Sequence, residues 1–175
     1  VKFWPWENTI SSVRYALNYQ SAGALIFANV LLASILQPLF GYYSDKISRP
    51  WFVPLGPVLC GLAVTAMGFL TNYYAIFAAA ILCGVGSALF HPEAALMVNR
   101  ISGEKKGKAM GTFSVGGNGG FAIGPILAGI CAYHLGIHSL VIFGIVNLFA
   151  AALLYSRSRK VFADTRVADR KKVSS

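Results

Sequence analysis

The chemistry that stands out most in this chain belongs to His91-Pro92-Glu93. These residues sit inside a long apolar run, where an ionisable group is costly and by default faces a partner or a cavity. His91 precedes Arg100 by nine residues, about 13 Å of helix at 1.5 Å per residue. Titrating groups at that depth could carry a proton or contact a polar substrate. They could equally be a structural pair hydrogen-bonded to neighbouring helices. On a straight helix, residues two apart point about 200° apart. Pro92 removes the amide partner of the Ala88 carbonyl and shifts those directions. A His-x-Glu pair also occurs in metal and hydrolase chemistry, but a metal site needs more ligands. The other histidines, His134 and His138, belong to a glycine-broken connection at the opposite boundary. We therefore expect no enzyme, no metal and no cofactor. Cys60, Cys83 and Cys131 lie inside apolar runs without metal-type spacing and read as small packing residues.

The elements that must position these groups are set by composition. The chain is 56% apolar and 12% charged, against about 25% charge in a soluble domain. Apolar runs at 20–43, 51–70, 74–98, 108–132 and 136–156 are each close to the about 20 residues a helix needs to cross hydrocarbon. They are too long and too uniformly apolar for barrel strands. The expected fold class is an all-α membrane protein with five transmembrane helices. The net charge is +9, but the cations lie almost wholly between the runs and in the tail, which excludes nucleic-acid binding and leaves the lipid bilayer as the partner.

The loops alternate in charge. The stretch Gly41-Tyr-Tyr-Ser-Asp-Lys-Ile-Ser-Arg49 holds Asp45, Lys46 and Arg49, whereas Thr71-Asn72-Tyr73 holds no cation. The next loop holds Arg100, Lys105, Lys106 and Lys108, the one from His134 to His138 holds no Lys or Arg, and the tail is strongly basic. By the positive-inside rule the first and third loops and the tail are cytoplasmic. Three regions follow: an extracytoplasmic or interfacial segment 1–19 carrying Trp4 and Trp6, a membrane domain 20–156, and a basic cytoplasmic tail 157–175, aperiodic and lying near anionic headgroups.

Polar residues and helix breakers recur inside the runs. Gln37 and Pro38 close the first, Pro54 and Pro57 mark the second, and Asn118 and Pro125 stand among the glycines of the fourth. Proline frees a backbone carbonyl that lipid cannot satisfy, so these helices should line one another or an aqueous cavity. Gln37 and Asn118 therefore join Glu93 and His91 as candidate proton-coupling and substrate residues. Gly120, Gly124 and Ala128 follow the small-x-x-x-small spacing that lets helices approach closely. A phosphate-binding loop is excluded, because no strand precedes these glycines and no Gly-Lys-Ser follows them.

Four stretches together resemble the major facilitator transporters. Gln37-Pro38-Leu39-Phe40-Gly41 with Asp45 and Arg49 resembles their signature loop. Gly84-x-Gly86 followed by Phe90-His91-Pro92-Glu93 resembles the fourth helix of the fosmidomycin-resistance-type branch. Gly120-x-x-x-Gly124-Pro125-x-x-Ala128-Gly129 resembles the fifth-helix motif of exporters, with alanine for one glycine. Leu17-Asn18-Tyr19 resembles the lead-in to the second helix. The resemblance implies proton-driven export of small, drug-like molecules across the bacterial inner membrane by alternating access. It implies a gating loop of Gly41, Asp45, Lys46 and Arg49, in which the acid stabilises one conformation and the cations hold the loop. It also implies kink and packing roles for Pro92, Gly120, Gly124, Pro125 and Gly129.

The sequence departs from the family pattern in several places. Five spans stand where the family has twelve, and residues 1–16 do not resemble the first helix. Ala80 occupies the position where some drug exporters carry arginine. The expectation is the second to sixth helices of such an exporter, its partners being a small-molecule substrate and protons. The alternative is a non-transporting membrane fragment, or an assembly partner of a separate second half.

The charge alternation yields a direct test of topology. In a cysteine-free background in intact cells, Asn72→Cys should react with an impermeant maleimide and Ser175→Cys should be protected. The reverse pattern would overturn the orientation.

Overall fold

The computed structural model describes residues 19–47 and 51–173. The expected interfacial segment through Asn18, Arg49 of the loop and the last two residues of the tail lie outside the described residues. The chain forms α1 (Tyr19–Ile47), α2 (Phe52–Met67), α3 (Tyr73–Ile101), α4 (Lys106–Leu135), a 3-10 turn (Ile137–Ser139) and α5 (Leu140–Val173), with no strand among the described residues. The all-α expectation holds. Four helices are long and apolar enough to cross a membrane, whereas α2 is a shorter apolar helix. At 16 residues it rises about 24 Å. The second run, expected to span 51–70, is helical only to Met67, because the amides of Gly68, Phe69 and Leu70 fold back onto the Thr65 and Ala66 carbonyls.

Local chemistry sets the other ends. Asn72 caps α3, its Oδ1 accepting from the Tyr74 amide at 2.8 Å. Gly103 (φ 53°) and Gly136 (φ 81°) turn the chain after α3 and α4 in a backbone region that glycine enters without a Cβ penalty.

Two helices run on beyond their expected ends. Gly41, Asp45 and Lys46, expected in a loop, belong to the C-terminal turns of α1. Nothing from Phe40 to Ile47 breaks a helix except Gly41, and a cation such as Lys46 is favoured near a helix C-terminus. The tail, expected as an aperiodic linker, continues α5 as helix to Val173. Residues 157–173 contain no Gly or Pro and are rich in Arg, Lys and Ala, which favour helix.

The helices stack in the order α1, α3, α2, α5, each packing broadly on the next, while α4 meets the others only sparsely. The crossings are built on small residues. A Cβ at Gly56 of α2 would lie 2.6 Å from both the Gly86 carbonyl oxygen and the Phe90 Cβ of α3. A Cβ at Gly84 of α3 would lie 2.8 Å from the Asn29 carbonyl oxygen of α1. Between α2 and α5, a Cβ at Gly61 would lie 2.8 Å from the Asn147 Cβ, and one at Gly144 would run into the Thr65 hydroxyl. In contrast, a Cβ at Gly120, Gly124 or Gly129 of α4 meets nothing within 4 Å.

This contrast predicts opposite responses to one methyl group. Gly56→Ala should destabilise the bundle by about 1–3 kcal/mol, the usual penalty of overpacking. Gly120→Ala should be neutral or stabilising by up to about 1 kcal/mol through helix propensity. Reversible unfolding in mixed detergent micelles measures both, and equal responses would contradict the packing described.

Candidate functional site: a buried carboxyl in the third helix

Glu93 is 2% exposed, the one acidic side chain in the buried core of the described residues. It lies seven residues on from Gly86 and three on from Phe90, so it shares the α3 face that meets α2. His91 is exposed, its ring standing edge-on to Phe90 with centroids 5.7 Å apart. The structure therefore separates the two titratable residues across α3. The residue between them, Pro92, faces α1: its ring lies 3.7 Å from where a Gly41 Cβ would stand.

That contact fixes the level of the remaining candidates. The Asn29 amide of α1 donates to the Ala80 carbonyl of α3 at 2.7 Å, and Gly41 meets Pro92 further along both helices. α1 and α3 therefore run parallel. Gln37, half-buried, sits one turn before Gly41, level with the α3 turn preceding Pro92. Asp45 and Lys46 follow Gly41 by about one turn. The turn bearing Asp45 and the turn bearing Glu93 are thus neighbours at one end of the α1–α3 pair. Asn118 is exposed on α4 and is not brought to this place.

The glycine motif of α4 is likewise apart. No residue of α4 is buried, a Cβ at Gly120, Gly124 or Gly129 would meet nothing within 4 Å, and Pro125 is exposed. The close approaches fall instead at Gly56, Gly61, Gly84, Gly86 and Gly144. Their signal in the sequence is a small residue recurring within an apolar run, visible in Gly84-x-Gly86. Asn29 was also missed as a clamp. Its signal is a lone amide inside a span, which must find a partner on another helix. It finds the carbonyl of Ala80.

The histidines near the far connection are exposed and stand beside aromatic rings. The His138 ring lies tilted against Phe69, with centroids 4.9 Å apart, and His134 stands edge-on to Tyr133. Among the described residues, no three of His, Cys, Asp and Glu gather as metal ligands.

Comparison with known proteins agrees with this architecture. A family model described as Major Facilitator Superfamily matches residues 8–174. The chain is 34% identical over 155 residues to the fosmidomycin resistance protein of Escherichia coli K12, covering 87% of this chain and 38% of that protein. It is 31% identical over 139 residues to the uncharacterized MFS-type transporter YfnC of Bacillus subtilis 168, covering 79% of this chain and 34% of that protein. It is 30% identical over 137 residues to the multi-drug resistance efflux pump PmrA of Streptococcus pneumoniae TIGR4, covering 76% and 33%. The chain thus spans about a third of the length of the curated relatives it matches. No solved structure matches it significantly. With nearly its whole length matched by one family model, and its helices apolar and long enough to cross hydrocarbon, this multi-pass membrane protein belongs to the Major Facilitator Superfamily.

Proposed function

We propose that this chain supplies part of a pathway for proton-coupled efflux of small, drug-like molecules by alternating access. The observation that carries the reading is Glu93, a carboxyl 2% exposed within a membrane-length helix. Such a group is costly to keep in hydrocarbon and is usually retained for a task. The names of the relatives, which speak of fosmidomycin resistance and multi-drug efflux, support small drug-like cargo rather than enzymatic chemistry. The membrane would be the bacterial inner membrane, with the C-terminus cytoplasmic.

In this reading Glu93 exchanges a proton as the helices around it open to water on one side and then the other. The neighbouring turn of α1 supplies the link to conformation. Asp45 stands about one turn beyond Gly41, and Gly41 faces Pro92, the residue preceding Glu93. A rearrangement at the Asp45 turn therefore bears on the Glu93 turn through the close approach of α1 to α3 at this level. A ligand or proton shifts such an equilibrium only by its differential affinity for the two states. Gln37, level with this region, is the candidate substrate contact. His91, on the opposite side of α3, has at most an indirect part.

The test is transport by a reconstituted full-length relative substituted at the matching positions. The Glu93→Gln change should reduce proton-driven efflux by tenfold or more, about 1.4 kcal/mol or more in barrier. It should spare exchange of substrate down its own gradient. The Asp45→Asn change should slow both modes without preventing insertion. Normal proton-driven efflux by a well-expressed Glu93→Gln protein would remove the coupling role. Reduced protein level at unchanged activity per molecule would make Glu93 structural.

The open face of α4 favours a second reading, in which the chain is an assembly partner of a separate second half. No residue of α4 is buried, and its glycines meet nothing within 4 Å. Co-purification with a separately expressed second half, lost on Gly124→Trp, is the outcome this reading requires.

A further inference from the structure

The antiparallel crossing of α2 and α3 brings two thiols together. Gly56 of α2 meets Gly86 and Phe90 of α3, so four residues on in α2 and three back in α3 Cys60 comes opposite Cys83. The Cys60 thiol donates to the Cys83 carbonyl oxygen at 3.4 Å. Gly86 makes room for this arrangement, because a Cβ there would stand 2.8 Å from the Cys60 sulfur. The Asn29 amide of α1 bonds to the Ala80 carbonyl at 2.7 Å and stands 3.4 Å from where a Cβ of Gly84, the neighbour of Cys83, would lie. Three helices thus converge on the pair. Both thiols are free and only half-buried, so a small apolar reagent can approach them. The remaining cysteine, Cys131, lies on α4, away from this crossing.

We infer that Cys60 and Cys83 form a two-thiol site across the α2–α3 crossing that captures one trivalent organoarsenical as a neutral adduct. The reaction is a condensation with no change of oxidation state. An arsenoxide, R–As=O, loses its oxygen as water. Both S–H bonds break, their protons leave in that water, and two As–S bonds form. The charge balance selects this class of ligand. Two thiolates around a monovalent soft cation would leave a net negative charge within hydrocarbon, which is costly. The dithioarsenite carries none. Once one sulfur is bound, the second bond forms intramolecularly at high effective concentration, so a single external thiol competes poorly. The site stands independently of any transport activity.

The experiment uses the purified full chain in detergent micelles, phenylarsine oxide as probe and intact-mass measurement as readout. The unmodified sequence should hold one adduct per chain that survives excess 2-mercaptoethanol and is released by dithiothreitol. Cys60→Ser and Cys83→Ser should each retain roughly tenfold less adduct under 2-mercaptoethanol, because the chelate advantage is gone. Cys131→Ser should behave as the unmodified chain. Circular dichroism confirms that each variant is helical, and Cys60→Ala and Cys83→Ala replace any serine variant that fails to fold. Absence of a resistant adduct on the unmodified chain overturns the site. So does its persistence in a folded Cys60 or Cys83 variant, or its loss in Cys131→Ser.

Discussion

Hydrocarbon offers helices no hydrophobic reason to associate, because lipid tails are as apolar as leucine. What remains is close van der Waals contact and the occasional interhelical hydrogen bond. In this chain that constraint is met at a few points of near backbone contact: Gly56 against Gly86, Gly61 against Gly144, and Gly84 against the backbone of Asn29. The Asn29 amide adds a hydrogen bond to the Ala80 carbonyl at the last of these crossings. The stacking order α1, α3, α2, α5 follows from where these small residues lie. α3 and α2 become the inner elements because each carries glycines facing both of its neighbours.

The placement of Glu93 depends on the same packing. Its face of α3 is the one drawn against α2 by Gly86, which is why the carboxyl is enclosed while His91, two residues away, is exposed. The apolar groups show the reverse arrangement. Phe121 is 83% exposed and Phe27 67%, while the carboxyl is 2% exposed. Such a distribution suits a solvent of acyl chains and would be untenable in water. Small residues at the contacts, large apolar residues outward and one acid within are consequences of a single change of solvent.

The sequence carried the number of helices and most of their boundaries, because the length of an apolar run and the position of cations answer directly to bilayer thickness and sidedness. It also singled out Glu93 as an acid within an apolar helix, which the structure buries. The choice of contacting glycines was not legible. The motif Gly120-x-x-x-Gly124 has the spacing of a contact face, yet Gly56, Gly61 and Gly144, with less conspicuous spacing, make the crossings. Spacing states what a face permits, and only the neighbours decide whether it is used. The pairing of His91 with Glu93 was ambiguous for a related reason: proximity in sequence on a helix often means separation in space. The helix ends at Ile47 and Val173 were missed because charge was taken to mark the end of a helix. A run of Arg, Lys and Ala leaves the apolar phase without leaving the helix.

The uninterrupted course of α5 has a mechanical meaning. Its 34 residues make a rod about 50 Å long. The part from 157 to 173 extends about 25 Å beyond the expected membrane segment. The inner part is anchored to α2 by the Gly61–Gly144 contact, and the outer part has no glycine or proline at which to bend. A tilt of about 10° at Gly144, which stands about 43 Å along the helix from Val173, would sweep the far end through roughly 8 Å. The charged end of the chain is thus geared to the crossing angle of two helices within the bilayer. A small rotation at Gly144 becomes a displacement that a surface-bound molecule could feel.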